Sequence, residues 1–454
     1  MKRFAAAFAA LAATASIATA TDSGFGDINL KAIKAGKAAP ALPTPVATDS
    51  TPALSPAMKA AAPKEWTVMI FFNGKNNLET FVLKDINEME TVGSTSKINI
   101  VGEAGRMNGQ EGDDNSEGDW TGARRYLITK DKNINKISSK LVQTVGNADM
   151  GSWKHLVEFA RWAKTNYPAK RYMLIIWNHG SGWASLGKTM VPQNENKGIS
   201  YDDETGNHIT TTEMGSAFAQ IGKIDLYASD ACLMQDMGVV HQIAPYTEVI
   251  VGSEEIEPGD GYDYSGFFKA FAAKPTATPT EVGAMIVNSF KNYYVPKGDD
   301  VTTSTLQSAA VPTLLRKMDV LAAAILANND IEAARRAAAK SIKYYYEDQK
   351  DLGDFAKRLM LESANPAVKQ AASEVISALR TAVLSNAATG KLAASSGLAV
   401  YLPETTYDST FDTLSMSKAS RWNKLAAALP APRILPDDTG TAFAESAPAK
   451  PVIK

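Results

Sequence analysis

Four short stretches, WTVMIFF (66–72), RYMLIIW (171–177), IDLYAS (224–229) and EVIVG (248–252), are apolar at nearly every position rather than at every second one. A strand with one wet face alternates; a strand that reads as a continuous β-branched and aromatic run is covered on both faces. Between these runs lie segments with helical spacing. LETFVLKDINEMETVG (78–93) is one, ended by Gly93, and SWKHLVEFARWAKTNYP (152–168) is another, with Ser152 at the cap position and Pro168 beyond its end. TTEMGSAFAQIG (211–222) and LMQDMGVVHQIAP (233–245) complete the set, and KINIVGEA (97–104) and RRYLIT (124–129) add two more strands. Strands alternating with helices of about three turns predict an α/β fold: a mostly parallel sheet with helices on both faces.

Beyond Pro275 the pattern changes. TEVGAMIVNSFKNYY, VPTLLRKMDVLAAAILA, IEAARRAAAKSIKYYY and VKQAASEVISALRTAVL are long helical segments, followed by one strand-like run, SSGLAVYLP (395–403). A helix-rich C-terminal region is expected over 276–428, after a core over 64–275. Its late strand either returns to the first sheet or edges a smaller subdomain. No repeat at solenoid periods is present.

The two ends read differently. Lys2 and Arg3, an apolar stretch from Phe4 to Ile17, and Ala18-Thr19-Ala20 form an expected secretory signal peptide over 1–20. No cysteine follows the cleavage position, which argues against lipid attachment there. Residues 21–63, rich in Ala, Pro, Thr and Lys, read as a flexible linker or pro-segment, and 429–454 as a disordered tail. No other apolar run is long enough to span a membrane. The expected location is therefore periplasmic or extracellular. With 47 basic and 49 acidic residues, net charge −2, there is no basic excess that would suit nucleic acid or a membrane surface.

An exported chain meets an oxidising environment that favours paired cysteines, yet this one has a single Cys232. It is a buried small apolar residue, an intermolecular link or a reactive thiol. In open α/β sheets ligands gather beyond the carboxyl ends of the strands. Cys232 follows IDLYASDA there, and His179 follows RYMLIIWN, flanked by Gly180 and Gly182, which let a substrate backbone approach. The other histidines fit less well. His241 falls on the helix expected after Cys232, roughly 13 Å along its axis. His155 belongs to an amphipathic helix, and His208 to a polar turn. Cys232 and His179 on one sheet edge suit nucleophilic catalysis, and a helix starting after Cys232 would favour the thiolate. Zinc is a poor rival, because one cysteine with scattered histidines lacks ligand spacing.

Taken in order, WTVMIFFNGKNNLE, DWTGARRYLI, MLIIWNHGSGW, GISYDDETGNHITTTEM, IDLYASDACLMQDMGVVHQI, VGSEEIEPGDGYDY, DLGDFAKRL and SSGLAVYLP make the chain resemble the clostripain-like cysteine peptidases, relatives of caspases, gingipains and legumains. The resemblance implies a caspase-like fold, a Cys232–His179 dyad, and an oxyanion hole from Gly180 and the N–H of Cys232. It also implies cleavage of peptides or proteins after Arg or Lys, with Asp230 as the pocket acid and Asp260 as a second one. The plainer readings are a helix N-cap for Asp230 and an acidic turn for Asp260; Glu254 and Glu255 are expected at the rim or in structural roles. Family members are often made as zymogens. Lys188 and Lys197, between the dyad residues, are candidate self-cleavage sites, as are Lys31, Lys34, Lys37, Lys59 and Lys64.

No cofactor is required for this chemistry, although some relatives depend on calcium. EGDDNSEGDWTGAR places Asp113, Asn115, Glu117 and Gly118 like the start of an EF-hand loop, but Arg124 stands where the bidentate Glu belongs. The alternatives to a basic-specific endopeptidase are a peptidase of the same fold with another residue preference, and an exported caspase-like binding module with an inert thiol.

Overall fold

The computed structural model describes residues 63–183 and 198–431. It begins with strand β1 (Lys64–Gly74), helix α1 (Glu79–Glu90), β2 (Ile98–Arg106), the hairpin β3 (Gly122–Leu127) and β4 (Lys140–Gly146), α2 (Trp153–Asn166) and β5 (Ala169–Trp177). A small hairpin, β6 (Gly198–Asp202) and β7 (Asn207–Thr210), precedes α3 (Thr211–Ile221), β8 (Ile224–Asp230), α4 (Met237–Ile243) and β9 (Thr247–Gly252). Next come α5 (Tyr264–Ala273), α6 (Pro279–Tyr294), β10 (Thr302–Gln307), α7 (Val311–Ala327), α8 (Ile331–Lys340) and β11 (Gln349–Asp351). The described residues close with α9 (Leu352–Glu362), α10 (Pro366–Ala382), β12 (Val383–Ala388), β13 (Ala399–Tyr401), α11 (Ser415–Ala419) and α12 (Trp422–Ala428).

Among the described residues nine strands form one mixed sheet, in the order β12-β10-β9-β8-β5-β1-β2-β3-β4. The inner five, β2, β1, β5, β8 and β9, are parallel, and an antiparallel pair closes each side. Because side chains alternate across a strand, each unbroken apolar run supplies two cores at once. Met69 and Phe71 of β1 face the layer of α2, α3 and α4, with Leu156, Phe159, Phe218 and Val240. Val68, Ile70 and Phe72 face α1, α5 and α6, with Val82, Ile86, Phe267 and Phe290. Two helix starts have reciprocal caps: Thr210 with Glu213 for α3, and Thr278 with Glu281 for α6.

The helix-rich stretch builds part of the same sheet. β10 pairs antiparallel with β9, from Ser304 opposite Gly252 to Gln307 opposite Val249, and β12 pairs with β10. β12 runs straight on from α10, and its sequence VLSNAA alternates too weakly to announce an edge strand. The late apolar run goes elsewhere: β13 pairs with β11, and Ala399 bridges Asp236 in the loop after β8. Lys64, one of the self-cleavage candidates, belongs to the folded core. It begins β1 opposite Ala169, and its Nζ donates to Thr95 O at 2.6 Å. The expected signal peptide, Lys31, Lys34, Lys37 and Lys59 lie outside the described residues, as does the tail from 432 onward. Leu429 is buried, and Arg335 donates to its carbonyl at 2.7 Å. Among the described residues no helix is long and apolar enough to cross a membrane.

β10 covers the hydrogen-bonding edge of β9, whose Val249, Ile250 and Val251 are buried. An open, apolar strand edge is an aggregation template. A chain ended at Pro275 should therefore fail to give a cooperative, monomeric thermal transition by circular dichroism, whereas residues 63–431 should give one. A cooperatively folded 63–275 fragment would mean the later strands are dispensable.

Candidate active site

Parallel register brings three strand ends together: Phe72 of β1 is opposite Trp177 of β5, which is opposite Asp230 of β8. The residues that follow are Asn73, then Asn178-His179-Gly180, then Ala231-Cys232. Asn178 ties these ends. Its N–H donates to Asp230 O at 3.2 Å, its Nδ2 to Asn73 O at 2.5 Å, and its Oδ1 accepts from Tyr201 N of β6 at 2.6 Å. Gly180 lies against the cysteine, since a Cβ there would sit 2.4 Å from Cys232 O. Leu233, directly after the cysteine, has φ +65°, a left-handed conformation that L-residues other than Gly, Asn and Asp seldom take. That turn carries the chain back so that Leu233 N reaches Glu255 O at 3.2 Å.

Cys232 is partly exposed, and its Sγ accepts from Glu257 N–H at 3.2 Å. Burial pushes the thiol up to about 11; the Glu257 N–H opposes this, while the charge of Glu255 adds to it. His179 is also partly exposed, and its Nε2 lies 2.7 Å from Asn77 Oδ1 in the loop after β1. An amide oxygen only accepts, so Nε2 carries the proton and Nδ1 is the basic nitrogen. Burial pulls this imidazole down to about 4. At neutral pH the two groups are therefore a thiol and an uncharged imidazole. The expected helix dipole does not reach the sulfur. Residues 231–236 are not helical; α4 starts at Met237 and is capped by Asp236, whose Oδ1 accepts from Gly238 N at 2.7 Å.

The other histidines have separate partners. His241, on α4 and not on a helix shared with Cys232, has Nδ1 2.7 Å from Ser415 Oγ. His155 meets buried Glu103; burial lowers its pKa, but that carboxylate's hydrogen bond and charge outweigh it and the net shift is upward. His208 stands on β7 rather than in a turn, with its ring stacked on Tyr201 at 5.0 Å.

Asp230 ends β8 and is not a helix cap; that part belongs to Asp236. It is 4% exposed, with Oδ1 accepting from Tyr262 N at 3.2 Å and Oδ2 from Tyr264 O–H at 2.7 Å. Burial pushes its carboxyl up to about 6. Asp260 is taken up by cations: Lys84 and Lys297 each reach it at 2.7 Å, Tyr293 O–H donates to it at 3.0 Å, and these hydrogen bonds hold its carboxyl far below the usual range. The acid that does meet Asp230 is Glu257, with Asp85 of α1 nearby. Within SEEIEPGDGY several acids stand close together, and no local pattern selects Glu257. Glu254 is buried and accepts from Tyr344 O–H at 2.7 Å. Glu255 accepts from Tyr345 N at 3.0 Å. Tyr346 was also silent in the sequence; it packs with Cys232 against Leu233 and Ala399.

Lys188 and Lys197 lie outside the described residues. The EF-hand-like stretch uses its acids on backbone: Asp113 accepts from Gly109 N at 2.9 Å and Glu117 from Ile137 N at 2.7 Å. Those residues do not fit a calcium ion. Among the described residues no group of three or more His, Cys, Asp or Glu is placed to hold a metal.

The model of the clostripain family matches residues 70–429. Clostripain of Hathewaya histolytica is 28% identical over 226 residues, covering 46% of this chain and 42% of that protein, so less than half of the relative's length is spanned. A secreted C11 cysteine protease from Bacteroides thetaiotaomicron, solved with an irreversible peptide inhibitor, superimposes with TM-score 0.58 at 17% identity, over 79% of this chain and 99% of that one. An inactive zymogen C11 protease from Parabacteroides distasonis gives TM-score 0.58 at 18% identity, over 79% and 98%. At such identity the likeness to the solved structures is one of fold.

A neutral thiol makes a specific kinetic prediction. Because only thiolate is alkylated, the iodoacetamide rate at Cys232 should climb about tenfold per pH unit from pH 6 to 9, as a group near 11 requires. A rate flat across that range would mean a thiolate–imidazolium pair instead.

Proposed function

The chain belongs to the clostripain family of cysteine peptidases, and on that premise we propose that it is an exported endopeptidase that cuts after Arg or Lys, using Cys232 and His179. The observation that carries this reading is the meeting of the two strand ends, with Gly180 packed on the Cys232 carbonyl. Among the described residues neither the Gly180 N–H nor the Cys232 N–H has a backbone acceptor, and the Cys232 N–H lies at its own sulfur, so these are the two donors this reading assigns to the oxyanion.

The chemistry follows from those positions. The thiol proton passes to His179, and Sγ adds to the substrate carbonyl, whose oxygen takes the negative charge between the two N–H groups. The C–N bond then breaks, His179 returns its proton to the leaving amine, and a thioester remains. Water, deprotonated by the same imidazole, adds to the thioester and releases the acid and the thiol. The resting thiol and neutral imidazole hold the right proton inventory for this route. Nδ1, the His179 nitrogen that Asn77 does not hold, is the one that serves the sulfur.

Asp230 supports the basic preference, because a buried carboxyl beside the nucleophile is the group that a guanidinium or ammonium would seek. Calcium enters no step. Self-processing is proposed at Lys188 or Lys197. Gly198 N and O are both held by Ser181, at 3.1 and 2.9 Å, so a cut in the intervening segment would leave its downstream end fixed beside the site. Export through residues 1–20 fits the secreted relative from Bacteroides thetaiotaomicron.

Two measurements test this reading. On fluorogenic peptides ending in Arg, Lys, Asp, Asn or Leu, only the first two should be cleaved, and Cys232→Ala should abolish turnover. Asp230→Asn should lower kcat/KM for the basic pair by at least about 30-fold, which corresponds to the ~2 kcal/mol lower bound for losing one partner of a buried charge pair. Preference for Asp or Asn, or full activity in Cys232→Ala, would refute the assignment. Incubated precursor should fragment in the 184–197 segment only when Cys232 is intact; equal fragmentation of Cys232→Ala would rule out self-cleavage.

A further inference from the structure

Glu257 occupies two places at once. Its backbone N–H is at the Cys232 sulfur, 3.2 Å away, and its carboxyl group meets that of Asp230. Both Glu257 oxygens are buried, and neither receives a hydrogen bond from an N–H or O–H of a described residue. Asp85 Oδ1 is buried without a donor too, although Asp85 Oδ2 accepts from Trp177 Nε1 at 2.8 Å. The groups facing this pair are Asp85 and Glu88 from α1, Tyr262 and Tyr264 from the turn before and the start of α5, Tyr294 from α6, and Cys232. All are acids or neutral hydroxyls and a thiol. No described Lys or Arg forms an ion pair with Asp230 or Glu257, and Lys84 is held by Glu88 and Asp260.

Two carboxylates cannot both stay ionised in contact at a dry site, so they share a proton unless a cation replaces it. The Asp230–Glu257 contact is otherwise a contact of two acceptors. The loop that carries Glu257 is exposed at Ile256 and Gly259, which places the pair just beneath the surface beside the sulfur.

We propose that Asp230 and Glu257 hold one proton between them at rest and that the substrate's basic side chain takes its place, making Glu257 a second specificity-determining residue. This rests on the basic-residue reading above. The exchange balances: the pair carries one negative charge before binding and two after, the guanidinium or ammonium brings one positive charge, and the displaced proton leaves for solvent. Protons then compete with the substrate. Affinity rises about tenfold per pH unit while the pair holds its proton, and levels off once it is lost.

The test is calorimetric, on full-length Cys232→Ala protein titrated with a blocked tripeptide ending in arginine amide, in buffers of different ionisation enthalpy between pH 6 and 8. About one proton should be released per peptide bound. In Glu257→Gln added to the same background the release should vanish and affinity should lose its pH dependence, because a glutamine amide donates to Asp230 without a titrating proton. Binding with no proton release, or an equal release in the Glu257→Gln protein, overturns the proposal and leaves the basic preference standing. If arginine peptides fail to bind while a non-basic tripeptide binds, the basic-residue reading fails and this inference with it. The proton count on Cys232→Ala alone decides the matter should the Gln variant not fold.

Discussion

The structure depends on the parallel register of β1, β5 and β8. Parallel strands end on one edge of the sheet, so residues more than a hundred positions apart arrive at neighbouring points. Asn178 locks that edge with three hydrogen bonds, to Asp230 O, Asn73 O and Tyr201 N. Each is made at a buried site, where an unmet donor or acceptor costs about 1–3 kcal/mol. His179 and Gly180 are the next two residues, so the position of the imidazole and of the Gly180 N–H against Cys232 is inherited from the strand ends.

Desolvation dominates the electrostatics of this edge. It raises Cys232, Asp230, Asp236 and Glu257 and lowers His179, so that each of these groups is drawn toward its uncharged form. Asp260 shows the contrast. Partly exposed and gripped by two lysines and a tyrosine, it is a fully ionised anchor between α1 and the end of α6. Two aspartates thirty residues apart thus do opposite things, and the difference lies in what surrounds them. A neutral, poorly solvated edge has little affinity for stray ions, yet it strengthens any charge that a substrate brings or that develops during acyl transfer.

Much of this was legible in the chain. The unbroken apolar runs became the central strands, and the glycine-bracketed His179 and the lone Cys232 came out on adjacent strand ends. What misled was local pattern standing in for tertiary position. LMQDMGVVHQI has helical spacing throughout, but the left-handed Leu233 and the cap at Asp236 delay the helix to Met237, which removes its dipole from the sulfur. β12 was invisible because an edge strand needs apolar residues on one face only and inherits its pairing from β10. Glu257 was indistinguishable from its acidic neighbours.

The sequence by itself determined the α/β architecture, the two-sided burial of the central strands and the family, because double burial and ordered motifs are written locally in residue type and spacing. Tertiary structure alone decided which acid stands beside Asp230, which lysines neutralise Asp260 and whether a helix end supports the thiol. Those are questions of proximity and dielectric, and both arise only when distant segments exclude water together.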